Sequence, residues 1–317
     1  MRYIAGTREF QIEEETAVTL GKFDGLHRGH QKLLSEVFRF RENGLSPAVF
    51  TFETAPGTLI GGRLQTMITT NEERRQNLER AGVSFLVEYP FNQEVARMDP
   101  EEFVAHVLVG RMRARAIVSG PDFHFGYRRG GDVALLKRLA PRFGYEVRVV
   151  EKLMDGGREI SSTYIREELA AGRIEKANEL LGYPYMLHGR VVHGRHLGST
   201  LGFPTVNLEP DLQKHLPAFG VYLSQTVIDG MVFPSLTNIG KKPTIAGERP
   251  AGAETYIYHL DQDLYGKWIE VRLIGFLRPE QKFSGVEELK KQVLADKETG
   301  RRLHEAAKRF AVPEVTA

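Results

Sequence analysis

The sequence predicts two domains of different class: a doubly wound parallel α/β sheet over residues 1–184, then a small antiparallel β-barrel with a C-terminal helix over 185–317. Three observations carry this. Apolar, strand-like runs alternate with amphipathic helical patterns through the first half; strand-like runs separated by Gly, Asp and Pro follow one another in the second; helical periodicity returns at 285–310. Strand and helix in turn build a parallel sheet wrapped by helices, with ligands at the carboxyl ends of the strands. Short strands with turn residues between them build a barrel.

In the first half, strands are expected at 17–20, 46–52, 84–87, 116–119 and 146–150, with helices at 31–43, 71–81, 100–109 and 132–143. Residues 162–181 read as one or two helices stopped by Gly182-Tyr183-Pro184, because glycine ends a helix and proline cannot continue one. The domain boundary is expected near Pro184. Beyond it, strands are expected at 186–193, 221–228, 232–239, 253–259 and 268–276, with the tail helix closing one side of the barrel.

Composition bounds the function. The chain has 317 residues, enough for two cores, with 41% hydrophobic and 26% charged residues. A net charge of +2 suits anionic small molecules and argues against a nucleic-acid partner. Zero cysteines exclude disulfides, thiol nucleophiles and thiolate metal sites. No signal peptide or membrane span is visible, so the default address is the cytoplasm.

The densest signal is Gly21-Lys22-Phe23-Asp24-Gly25-Leu26-His27-Arg28-Gly29-His30, between an apolar run and an amphipathic one. It reads as strand, glycine-rich turn and helix N-terminus, with both imidazoles on one face of the first turns. Unpaired backbone N–H groups and the positive end of the helix dipole meet there, and Gly29 leaves room for a ligand to approach the backbone. Together they make a cradle for the phosphates of a nucleotide. The plain alternative is two histidines capping a surface helix.

Ile160-Ser161-Ser162-Thr163-Tyr164-Ile165-Arg166 opens a second helix after the turn Asp155-Gly156-Gly157. A serine cap with a solvated arginine is the structural alternative; three hydroxyls plus a guanidinium at one helix start suit a departing pyrophosphate. The run from Ser119 to Gly126, with Asp122, Phe123 and Phe125, follows the fourth strand and is placed to line a nucleotide or flavin pocket; Arg128 and Arg129 lie in the basic loop after it. The charge run Arg111-Met112-Arg113-Ala114-Arg115 reads as a solvated helix end.

In the second half, Gly194, Gly198 and Gly202 make a loop able to fold over phosphates, followed by Pro204-Thr205-Val206-Asn207. Thr205 and Asn207, two apart on a strand, face one side and offer two neutral oxygens to a hard cation such as Mg²⁺. A turn entering a strand is the alternative reading of Pro204-Thr205.

His27-Arg28-Gly29-His30 resembles the signature of nucleotidylyltransferases. With Gly120 to Gly126, Ser161 to Arg166, Gly189 to Asn207, Gly220-Val221-Tyr222, Asn238-Ile239-Gly240, Pro243-Thr244, Glu254, Asp263-Leu264-Tyr265-Gly266, Leu277-Arg278 and Lys282-Phe283, nearly the whole chain resembles the prokaryotic bifunctional riboflavin kinase and FAD synthetase family. The resemblance implies two reactions: ATP phosphorylates riboflavin to FMN in the barrel domain, and a second ATP adenylylates FMN to FAD, releasing pyrophosphate, in the nucleotidylyltransferase domain. It implies Glu254 as general base, Thr205 and Asn207 as Mg²⁺ ligands, and Gly194, Gly198, Gly202, Pro204 and Thr205 at the kinase ATP. It implies Gly21, Phe23, Asp24, Gly25, His27 and His30 at the adenylyltransferase ATP phosphates, with Ser162, Thr163 and Arg166 receiving the leaving group.

Two positions depart from the family pattern. Ala55 stands where a Pro-His-Pro turn carries its histidine, and Ser199 where a basic residue is common. Ala55 leaves open a second reading, a riboflavin kinase whose first domain binds nucleotide or flavin without catalysis. A flavin-sensing RNA-binding regulator and a tRNA synthetase relative fit less well. The first lacks a concentrated basic face and the second a lysine-rich signature loop.

Overall fold

The computed structural model describes residues 1–53, 66–194, 203–240 and 251–310. The chain divides into two compact units, Met1–Tyr164 and Ile165–Ala317.

In the first unit six strands form one parallel sheet: β1 (Arg2–Ala5), β2 (Thr16–Leu20), β3 (Ser46–Phe52), β4 (Phe85–Tyr89), β5 (Ala114–Ser119) and β6 (Glu146–Val149). Their order is β1-β4-β3-β2-β5-β6, with every neighbouring pair parallel. From β2 the chain steps one way to β3 and β4, then crosses to the other side of β2 for β5 and β6. That reversal opens a crevice at the carboxyl ends of β2 and β5, where such sheets bind ligands.

Both faces are covered, so β2 and β4 are buried along their whole length, mostly by apolar residues, with Thr16, Thr19 and Glu88 as buried polar positions. On one face, α1 (Arg28–Arg39) and α2 (Asn71–Arg80) set Leu34 and Leu78 against Val49 and Leu86, and Val37 against Ala17 and Ala116. On the other lie α3 (Pro100–Glu102, widening into a π-helix at Phe103–Arg111) and α4 (Val133–Phe143). Phe103, Val107 and Leu136 there share a core with Val18, Phe50 and Ile117. The start of α2 is fixed by a reciprocal capping box: Glu73 N–H donates to Thr70 Oγ1, and Thr70 N–H to the Glu73 carboxylate.

The structure departs from the sequence expectation in three places. β1 joins the outer edge beside β4, a four-residue strand with no fully buried position to mark it. The first helix begins at Arg28, and its last turn, Phe40–Asn43, tightens to a 3₁₀ helix that ends at left-handed Gly44. The run 111–115 is a helix end only at its start. Arg113 turns the chain at φ 51°, and Arg115 lies on β5, donating to Glu15.

A small hairpin, β7 (Met154–Asp155) and β8 (Arg158–Glu159), turns on Gly156 and Gly157, both at positive φ, and leads into α5 (Ser162–Ala170). Residues 162–181 form two helices, α5 and α6 (Ile174–Leu181), and Gly182 closes the second in the left-handed conformation. Pro184 immediately precedes the first barrel strand. Asn178 of α6 ties that entry down, donating to the Leu273 carbonyl and accepting from Tyr185 N–H.

The second unit is a closed antiparallel barrel of β9 (Tyr185–Val192), β10 (Thr205–Leu208), β11 (Gly220–Ile228), β12 (Met231–Gly240), β13 (Gly252–Ile257) and β14 (Trp268–Pro279). Closure in the order β10-β13-β12-β11-β14-β9 leaves no free edge. Ser224, Thr226, Ser235, Thr237 and Thr255 are fully buried inside and hydrogen-bond one another at 2.8–2.9 Å. This satisfied seam fixes the interior face of β11, β12 and β13, and so places the alternate residues of those strands outside. The C-terminal helix α7 (Val286–Phe310) packs on the outer face of β12.

Candidate active sites

The first candidate site begins where β2 ends. Phe23 and Leu26 adopt positive φ (49° and 36°) in the turn before α1, a conformation unfavourable for both side chains. Neighbours hold it. The Asp24 carboxylate accepts from the N–H groups of Ile68 and Thr69, Thr69 Oγ1 accepts from Gly25 N–H, and Ser162 Oγ donates to the Asp24 carbonyl at 2.8 Å. Phe23 is fully buried in the core. Gly21 N–H is taken by the Phe50 carbonyl.

The two imidazoles stack with ring centroids 3.7 Å apart, and Phe23 lies 5.0 Å from the His30 ring. Burial pushes His27 down to about 4. Burial, and then the neighbouring His27, hold His30 well below the ordinary histidine value. Near neutral pH both rings are therefore uncharged, each with one N–H to donate. Nδ1 of both is buried without a hydrogen-bond partner, and so are the hydroxyls of Thr19 on β2 and Ser119 at the end of β5. Unmet buried polar atoms cost about 1–3 kcal/mol each, and a polar ligand would relieve them. His27 is the N-cap of α1, and its side chain makes no cap bond to the first turn. Gly29, expected to leave room for a ligand, also packs beside the His27 ring. A Cβ there would lie 3.1 Å from His27 Nδ1, so the glycine makes room for the imidazole.

At α5, Ser161 caps the helix through Tyr164 N–H, as in the structural alternative, while Ser162 spends its proton on Asp24. Thr163 is exposed, and Arg166 follows one turn along. In the loop after β5, Phe125 is buried against Phe103, with Phe123 stacked 5.6 Å from it. Asp122 pairs with Lys152 at 2.7 Å, which also reaches Glu159; the hydrogen bond from Lys152 holds the Asp122 carboxyl below its usual range. Thr69 and Lys152 escaped the sequence reading because each acts across a long sequence gap.

The second candidate site lies on the outer face of the barrel. Asn207 of β10 stands opposite Glu254 of β13, which stands opposite Asn238 of β12, so three adjacent strands place these side chains in one row. Asn207 is 6% exposed and its Oδ1 is buried without a partner. Gly194 allows this: a Cβ there would overlap the Asn207 amide at 2.1 Å. Thr205 sits on the same face two residues earlier, opposite Tyr256, after exposed Pro204. Glu254 is exposed. Gly198, Gly202, Ser199 and Ala55 lie outside the described residues, as do Pro243 and Thr244. Among the described residues no group of three or more His, Cys, Asp or Glu side chains could hold a metal ion. No helix there is long and apolar enough to cross a membrane.

The FAD synthetase family profile matches residues 9–164, and the riboflavin kinase profile matches 181–304. The bifunctional riboflavin kinase/FMN adenylyltransferase of Escherichia coli K12 is 35% identical over 292 residues, 91% of this chain and 93% of the relative. The chain belongs to this bifunctional family. The enzyme of the same description from Bacillus subtilis 168 is also 35% identical, covering 90% of this chain and 93% of its own. A solved structure described as a macrolide-efflux protein from Streptococcus pneumoniae superimposes with a TM-score of 0.84 at 33% identity, covering 95% of this chain and 98% of the other. The bifunctional family places FMN adenylyltransferase activity in the parallel-sheet unit and riboflavin kinase activity in the barrel.

Proposed function

We propose that the two sites described above carry the two reactions separately. In the first, His27 and His30 donate their N–H groups to the phosphates of ATP, with the first turn of α1 beneath them. A phosphate oxygen of FMN forms a bond to the α-phosphorus as the bond to pyrophosphate breaks. Neutral donors suit this step because the negative charge they meet is already on the nucleotide, and its arrival raises the basicity of both rings. Arg166 and Thr163 receive the leaving pyrophosphate, and Ser162 supports them by fixing α5 to the turn. Asp122, Phe123 and Phe125 border the nucleotide and flavin. The observation that carries this reading is the stacked pair of imidazoles whose buried Nδ1 atoms lack partners.

In the barrel, Glu254 takes the proton of the ribityl hydroxyl while that oxygen bonds the γ-phosphorus and ADP departs. Asn207 Oδ1 and Thr205 are the neutral oxygens that would hold Mg²⁺. The orphaned, buried Oδ1 fits a hard cation, which supplies charge neutralisation to the ATP phosphates when bound. Gly194 and Pro204 flank them at the ATP side. The chain works in the cytoplasm on riboflavin, FMN and ATP, and its near-neutral charge offers no footprint for nucleic acid.

A chromatographic product assay with ATP, Mg²⁺ and either riboflavin or FMN tests the assignment. FMN from riboflavin and FAD from FMN, the second lost in His30→Ala alone, is the expected result. FAD formation that survives His30→Ala would remove the first site from the reaction.

A further inference from the structure

Lys297 stands out on α7. Its ammonium lies 4.1 Å from the centroid of the Tyr256 ring and 4.8 Å from that of Phe203. Both rings belong to the kinase site's frame. Tyr256 is the register partner of Thr205, and Phe203 is the buried residue that leads through Pro204 into β10. The cation therefore joins β13 to the segment entering β10, at the point where the oxygen pair Thr205 and Asn207 begins.

Its position along the barrel is fixed from several sides. The Lys297 carbonyl accepts from Tyr258 OH at 2.6 Å. One turn on, Gly300 lets the helix sit close, since a Cβ there would fall 2.7 Å from both Leu236 and Tyr258. His304 Nε2 lies 3.0 Å from the Ser235 carbonyl, and Arg278 chelates Asp296 with three bonds of 2.7–3.0 Å. A helix anchored this way cannot slide, so the ammonium is held at a set place over both rings.

We propose that Lys297 is a positioning residue of the kinase reaction: by clamping Phe203 to Tyr256 it sets the spacing of Thr205 and Asn207, and hence the affinity of the site for Mg²⁺–nucleotide. This rests on the reading of Asn207 as a cation ligand. The role is mechanical and electrostatic, acting through the two rings; Glu254 and the transferred phosphoryl group do not need it.

The test uses the full chain and two readouts: kinase kinetics, and the portion of MgADP binding heat that Asn207→Ala removes. Lys297→Met, which keeps the stem and loses the charge, should raise the kinase KM for MgATP and weaken that MgADP component by about five- to tenfold, with kcat within twofold. Lys297→Arg should restore both, because a guanidinium also binds ring faces. Tyr256→Leu should weaken binding comparably, and the double variant Lys297→Met/Tyr256→Leu should be no worse than either single one. FMN adenylylation by the same chains should be unchanged. Additive losses in the double variant, or a full effect with Tyr256→Leu harmless, would overturn the clamp in favour of direct contact with phosphate. No effect of Lys297→Met where Asn207→Ala abolishes binding would overturn the clamp alone. No effect of Asn207→Ala on MgADP binding would instead sink the ligand reading beneath it.

Discussion

The two units solve the same problem, the handling of ATP phosphates, from opposite starting points. In the parallel sheet the site is local in sequence. A strained turn and the helix after it carry both histidines within ten residues, and distant groups such as Thr69 and Ser162 only hold it in shape. In the barrel the described polar row is assembled from strands far apart in sequence. Asn207, Glu254 and Asn238 meet because register brings three strands side by side, and the hydroxyl seam inside decides which face each residue takes. The first site depends on backbone conformation and burial, the second on register and on whatever locks the strand ends. They should therefore fail in different ways.

The sharpest contrast is expected from Glu254→Gln. Loss of the proposed general base should lower riboflavin phosphorylation by about 10²–10⁴-fold in steady-state assays, leaving FAD formation from FMN intact. His30→Ala should do the reverse, with FAD formation down about 10²–10³-fold and phosphorylation within twofold of wild type. A variant that damages both activities equally would show that the two sites are not independent.

Acid should also separate the units. The folded-state value of His27 lies below that of the unfolded chain, so the unfolded state binds the proton more readily. Its contribution is complete above about pH 6.5 and disappears as pH falls toward about 4, on the order of 3 kcal/mol. Urea unfolding of the full chain between pH 7 and 4 should show one transition losing stability steeply, and His27→Asn should flatten that loss. A transition indifferent to His27→Asn would contradict the neutral pair.

Gly29→Ala is the mildest of these changes. The new methyl meets the His27 ring at 3.1 Å, so FAD formation should fall about ten- to a hundredfold through misplaced donors, with kinase kinetics unaltered. An unchanged rate would mean that the ring can shift without cost.

Most of the fold was legible in the sequence, for identifiable reasons. Strands buried on both faces leave apolar runs, and Gly44, Gly144 and Gly182 mark helix ends in the left-handed conformation. β1 was not legible because a short, half-exposed edge strand leaves neither a run nor an alternation. The histidine pair was legible as a motif. Its uncharged state was not, since that follows from burial and from ring stacking at 3.7 Å. Gly29 could be read as an opening, but only the side-chain packing shows that the His27 ring lies beside it. Lys297 is one cation among many on an amphipathic helix, and only the placement of Phe203 and Tyr256 beneath it singles it out.

The central claim is that the chain holds two separate active sites, one built on the turn at His27 and His30 and one on the row at Asn207 and Glu254. Mixing the purified full-length variants His30→Ala and Glu254→Gln in equal amounts with riboflavin, ATP and Mg²⁺ tests it most directly. The account predicts that neither variant alone makes FAD from riboflavin at an appreciable rate, while the mixture does, because one supplies the FMN that the other adenylylates. A mixture as inactive as its components would contradict it.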